Sequence, residues 1–189
     1  TAGGNREFDV ENYYGHARRV AIYIANGVDN AIELHPGQLD TLTKIRTLMT
    51  DDRPVHLASW KSSLWLSFLG GSVQKSSTGT PLTWDLVLGA GELGTGQEVS
   101  GLLPEKEDAL VVFSRSRTGV LYPDGSGGFV FKLLEGQVGA ISRTIQRVFQ
   151  GFYLDDLGIT RLEAVQNYGN FGAASISELV SSLVSALRP

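Results

Sequence analysis

Gly89-Ala-Gly-Glu-Leu-Gly94 has the form G-x-G-x-x-G. That pattern cradles a pyrophosphate when a strand precedes it and a helix follows it. Asp85-Leu-Val-Leu88, just before it, reads as strand-like. Thr95-Gly-Gln-Glu-Val-Ser-Gly101, just after it, carries two more glycines and no helical pattern. No helix N-terminus is then available to meet the phosphates, so the segment reads as a glycine-rich turn between strands. Asp155 and Asp156 are adjacent carboxylates of the kind that serve acid/base or metal chemistry. They fall in the turn of a hairpin, where Asp commonly bonds its own backbone, and both should tolerate Asn. His16, His35 and His56 lack metal-ligand spacing and read as surface or turn residues. The chain has no P-loop and no G-x-S-x-G elbow. No catalytic, cofactor-binding or metal-ligating residue is assigned, no cofactor is called for, and the chain is expected not to be an enzyme.

Trp60, Trp65 and Trp84 cluster in one stretch. Aromatics of this kind can stack on sugars or bases, but between small sheets they fill the core, which is the reading preferred here. Arg115 and Arg117 alternate along a turn and read as a solvated face.

The elements that would position these residues follow from composition and spacing. The chain has 189 residues, 42% hydrophobic, enough for a sizeable core. It lacks cysteine, which excludes disulfides and thiolate metal sites. A net charge of −4 argues against tight wrapping of nucleic acid, which needs clustered Lys and Arg. No run approaches the ~18 apolar residues of a membrane helix, and no signal-peptide pattern opens the chain. It begins on Thr1 rather than Met, as a processed chain or a piece of a longer one would.

Glycine is abundant, with 23 residues scattered between short apolar runs, as in strands joined by tight turns. Four segments repeat one plan of strand, polar turn and strand. They are Val20–Ile24 with Ala31–Leu34, Leu64–Leu66 with Ser72–Ser76, Leu110–Phe113 with Gly119–Tyr122, and Phe152–Leu154 with Ile159–Leu162. Anchored on Ile24, Leu66, Phe113 and Leu154, the separations are 42, 47 and 41 residues. Each repeat has room for two more strands, such as Val99–Leu103 and Phe129–Leu133 around the third and Ile145–Phe149 before the fourth. A period of ~40–50 residues with several strands per unit suggests propeller blades that bury their faces mutually; a β-sandwich is the alternative. In the fourth repeat, Phe152 and Leu154 should share one face, Tyr153 should take the other, and all three should be buried.

The chain closes differently. Ser175-Ile-Ser-Glu178 has the capping-box form, and Ile176, Leu179, Val180, Leu183, Val184 and Leu187 follow at helical spacing. The expected fold is thus mainly β: about four β-propeller-like antiparallel blades over 1–172, then a C-terminal amphipathic helix over 173–189.

The repeats resemble the propeller region of podovirus-type bacteriophage tail proteins, the tail-nozzle or head-to-tail stabilisation family. The resemblance runs in order along most of the chain. It is carried by Tyr23–Glu33, Ser72–Trp84, Gly89–Glu92, Ala109–Phe113, Val138–Gln146, Tyr153–Ile159 and Ala164–Phe171. Members of that family are usually much longer. The resemblance implies a structural virion component in a tail nozzle or connector, forming a homo-oligomeric ring around the DNA channel. Its partners would be other tail and connector proteins, with phage DNA passing through without sequence-specific binding. It would be assembled in the bacterial host cytoplasm, with no membrane segment. Two other classes compete: a carbohydrate- or receptor-binding propeller module using the aromatics, and an enzyme on a propeller scaffold.

Overall fold

The computed structural model describes residues 9–14, 20–35, 42–48, 52–105, 109–134, 139–156, 158–165 and 170–175. These form sixteen strands in four four-stranded antiparallel sheets, each a meander in chain order. The first sheet contains β1 (Asp9–Tyr14), β2 (Val20–Ala25), β3 (Ile32–Leu34) and β4 (Leu42–Lys44). The second contains β5 (His56–Trp60), β6 (Ser63–Ser67), β7 (Ser72–Lys75) and β8 (Gly91–Gly94). The third contains β9 (Val99–Glu105), β10 (Ala109–Ser114), β11 (Thr118–Pro123) and β12 (Phe129–Leu133). The fourth contains β13 (Gln146–Arg147), β14 (Gly151–Leu154), β15 (Ile159–Val165) and β16 (Asn170–Ser175).

The four hairpins expected from the repeats are the two central strands of each sheet: β2–β3, β6–β7, β10–β11 and β14–β15. Ile24, Phe113 and Leu154 each occupy the last paired position before the turn. In the second sheet that position is Ser67, opposite Val73, one residue beyond Leu66. Register therefore makes the repeat more even than hydrophobicity alone suggests. The outer strands predicted as Val99–Leu103 and Phe129–Leu133 are present as β9 and β12, and Ile145–Phe149 narrows to Gln146–Arg147.

The turns are built by side chains that imitate backbone acceptors. Asn26 Oδ1 accepts the N–H groups of Val28 (3.0 Å) and Asp29 (2.9 Å) between β2 and β3. Asp124 Oδ1 does the same for Ser126 (2.8 Å) and Gly128 (2.9 Å) between β11 and β12. Between β6 and β7, Gly71 has φ of 80°, and a Cβ there would lie 2.5 Å from the Gln97 carbonyl oxygen. Both facts demand glycine.

The chain divides into two compact units, Thr1–Val99 and Ser100–Pro189. In the first, Ala21, Tyr23 and Ala25 of β2 pack with Leu57 of β5, Leu64 and Leu66 of β6, and Phe68. In the second, Val111 and Phe113 of β10 and Val120 of β11 pack with Tyr153 of β14 and Leu162 of β15. Phe113 and Tyr153 place their ring centroids 4.9 Å apart. Two sheets thus share one core in each unit, which is how a half-apolar sheet hides its face. β6 and β10 are buried at every position, so both faces are covered. β14 alternates instead: Tyr153 is buried, whereas Phe152 and Leu154 are only half-buried. The expected alternation holds; the expected burial of all three does not, because one face of β14 is only partly covered.

Among the described residues there is no α-helix. The last strand runs on to Ser175, past residue 172, where the blades were expected to end. The rest of the expected C-terminal helix, 176–189, lies outside the described residues. No helix among the described residues is long and apolar enough to cross a membrane.

Candidate interaction site

The glycine motif is not a nucleotide cradle. Asp85 caps a 3-10 turn at Leu86–Leu88, its Oδ1 accepting the Val87 N–H at 2.8 Å. Gly89 closes the turn with φ of 87°, its N–H reaching Leu86 O. Ala90 N–H returns to Asp85 O at 3.0 Å, and the chain enters β8 at once. Asp85–Leu88 is therefore a turn rather than the strand expected, because a capping Asp and a left-handed Gly bracket three residues. The expected glycine-rich turn between strands holds only for Gly89 and Ala90, since Gly91–Gly94 form β8 itself; no helix follows the motif.

The carboxylate pair separates. Asp155 is buried and spends both oxygens on its own turn, accepting from Gly158 N–H at 2.8 Å and from the Thr160 hydroxyl. Asp156 is exposed and forms a two-pronged ion pair with Arg115 (2.5 and 3.1 Å), raising the guanidinium pKa through that hydrogen bond. Such an exposed pair contributes about 0–1 kcal/mol. Arg115 and Arg117 are both exposed, as expected of a solvated face. His56, expected at the surface, is instead buried in β5, its backbone N–H donating to Ser67 Oγ at 3.3 Å. β5 is buried at four of its five positions, His56 among them, so it offers almost no outward-facing position. His35 is half-buried, and His16 lies outside the described residues. Among the described residues no three His, Asp or Glu side chains converge as metal ligands.

The tryptophans also divide. Trp60 and Trp65 are buried, with ring centroids 5.5 Å apart, as core residues. Trp84 is half-buried and packs on the first unit's core from outside. It lines a cavity of about 290 Å³ beside β8. Thr47 on the cavity wall is pinned by Asp52, through its N–H (2.9 Å) and its hydroxyl (3.0 Å). Lys75 is buried there, donating to the Gly89 carbonyl and to Thr78 Oγ1; burial lowers its pKa from the usual lysine value. Glu92 on the rim accepts from Ser72 Oγ at 2.6 Å. The Trp84 indole N–H is buried with no hydrogen-bond partner among the described residues. The cavity thus combines apolar walls from Leu48, Trp84, Leu86 and Ala90 with polar ones from Thr47, Gln74, Lys75 and Glu92, a mixture suited to recognition.

Apolar side chains stand in water beside it. Leu86, Val87 and Leu88 are 77%, 90% and 58% exposed, and Leu48, which also lines the cavity, is 88% exposed. In the second unit, Val148 and Phe149 are 76% and 74% exposed in the turn after β13. Phe149 packs edge-on against Phe152, with centroids 5.5 Å apart. Contiguous exposed apolar residues mark interaction sites more often than isolated ones do. Sequence reasoning missed both tips. The available signal was an apolar triplet bracketed by Asp and Gly, which cannot extend into a strand.

A scan against models of protein families finds none that matches the chain, and a search of curated proteins finds no significant match.

Proposed function

We propose that this chain is a structural component of a tailed-phage virion, part of a tail-nozzle or connector ring that lines or closes the DNA channel and supports genome delivery. Its sheets act as propeller-like blades, and its work is done by surfaces rather than by catalysis. The observation that carries this reading is the pair of solvent-facing apolar tips on a scaffold of repeated four-stranded meanders. The collinear segments that resemble tail proteins support it. So does the net charge of −4, which keeps a channel lining from gripping passing DNA. Its partners are copies of itself and neighbouring tail and connector proteins.

Mass spectrometry of purified particles should find the polypeptide at a fixed copy number, and the isolated protein should self-associate. A strictly monomeric protein missing from particles would sink the proposal.

A second reading, a carbohydrate- or receptor-binding module, draws on the cavity lined by Trp84. Under it, glycans would change tryptophan fluorescence in the parent and not in Trp84→Phe.

A further inference from the structure

Asn26 is the only asparagine in the sequence that glycine follows. Such a pair can modify itself, because a glycine without a side chain lets its backbone nitrogen approach the preceding side-chain amide. In the turn between β2 and β3 that amide is prepared for attack. The N–H groups of Val28 and Asp29 donate to Asn26 Oδ1 at 3.0 and 2.9 Å. Two donors on this oxygen polarise the carbonyl and stand where the negative charge of a tetrahedral intermediate would gather. Asn26 Nδ2, the group that would leave, donates to Asp29 Oδ2 at 3.3 Å. The nucleophile, by contrast, is held. Gly27 N–H donates to the Pro54 carbonyl at 2.8 Å, and a carbonyl oxygen is no base for its proton. The Pro54 segment is itself anchored. Val55 N–H donates to Ser67 O at 2.8 Å, and Asn30 Nδ2 donates to Asp52 O at 3.0 Å. Val55 also packs on the glycine, where a Cβ would lie 3.3 Å from Val55 Cγ2.

We propose that Asn26–Gly27 is a self-modification site, an amide set to cyclise and kept shut by the Gly27–Pro54 hydrogen bond. The site stands independently of the virion role. When the bond opens and Gly27 N–H gives up its proton, the nitrogen attacks Asn26 Cγ. The bond from Gly27 N to Cγ forms, the bond from Cγ to Nδ2 breaks, and Nδ2 leaves as ammonia with that proton. Water then opens the resulting succinimide at either carbonyl, giving aspartate or isoaspartate. Nothing is oxidised or reduced, and water is the only co-reactant. Either product sets a carboxylate where the amide had donated to Asp29, so like charges meet and the turn is weakened. Isoaspartate also adds a methylene to the main chain of the turn. The site therefore keeps a covalent record of how long the Pro54 segment has been open.

The test uses the full chain, incubated in mildly alkaline buffer both folded and unfolded in urea. Peptide mapping separates asparagine, aspartate and isoaspartate at position 26, and a peptide spanning 24–29 in the same buffers sets the unrestrained rate. Asn26 should convert about tenfold or more slowly in the folded chain than in the unfolded one. In urea below the unfolding transition, its conversion should rise in proportion to hydrogen exchange of the Gly27 amide, since both need the Pro54 bond open. Conversion in the folded chain as fast as in the unfolded one, or faster, would mean that the polarised carbonyl sets the rate, and the lock would be overturned. Slow conversion that does not follow Gly27 exchange would put the restraint somewhere other than Pro54, and would overturn it equally.

Discussion

Tyr153 buries its ring against Phe113 but leaves its hydroxyl without a hydrogen-bond partner among the described residues. Burial, reinforced by the nearby Asp155 charge, raises its pKa above the ordinary tyrosine value. The folded state therefore holds the proton more tightly than the unfolded state does. The associated stability is intact below the unfolded pKa of about 10 and is lost as pH rises past it. Tyr153→Phe removes an unsatisfied hydroxyl and keeps the ring. It should be neutral or slightly stabilising at pH 7, and it should flatten the alkaline loss of stability in denaturant titrations run from pH 8 to 11. A Phe variant destabilised at pH 7 would show that the hydroxyl has a partner, and one that loses stability in alkali as steeply as the parent would show that another group titrates there. The sequence placed Tyr153 on the correct face of its strand, because alternation with period 2 is a local property. It did not show that His56 is buried, since whether a strand has one covered face or two depends on what packs against it.

At the scale of elements, β12 is held to β11 partly through a missing side chain. A Cβ on Gly119 would lie 2.2 Å from Phe131 Cζ and 2.3 Å from Cε2, so the ring lies directly over that glycine. Gly119 and Phe131 are near neighbours in the register, where Gly119 faces Leu133 and Leu121 faces Phe131. Gly119→Ala should cost about 1–3 kcal/mol by overpacking, and the cost should largely vanish in a Phe131→Ala background. A double-mutant cycle in urea measures this coupling, and additive losses would refute it. The central hairpins were legible because strand propensity and turn chemistry agree over a few residues. β12 was legible for the same reason. β4 was not: Leu42–Lys44 is exposed throughout and carries no alternation. The Asp85–Leu88 turn was misread as strand-like because three apolar residues signal a strand until their caps are weighed.

Across the whole molecule, protection should follow sheet position. β6 and β10 are buried at every residue, while β4 and β13 are exposed at every residue. In native-state hydrogen exchange, amides of β6 and β10 should exchange slowest, near the limit set by global unfolding, and those of β4 and β13 fastest. Uniform protection along the meanders would contradict this. The repeat and the mainly β class were readable from spacing, because they need only local runs recurring at an even interval. The division near Val99 was not, because the polypeptide passes through it at the start of a strand, with no linker composition to mark it.

Every strand in every sheet pairs with its neighbour in the chain. The consequence lies in kinetics. Native contacts within a sheet close short loops, so the entropic toll of each pairing is small and contact order is low for an all-β protein. A sheet can complete its hydrogen bonds as soon as its fourth strand has been synthesised, in the order in which it leaves the ribosome. What it cannot do is bury its face until the next sheet arrives. The smallest stretch able to fold cooperatively is therefore two successive sheets, and a nascent chain halted between them would expose an apolar face to whatever binds first.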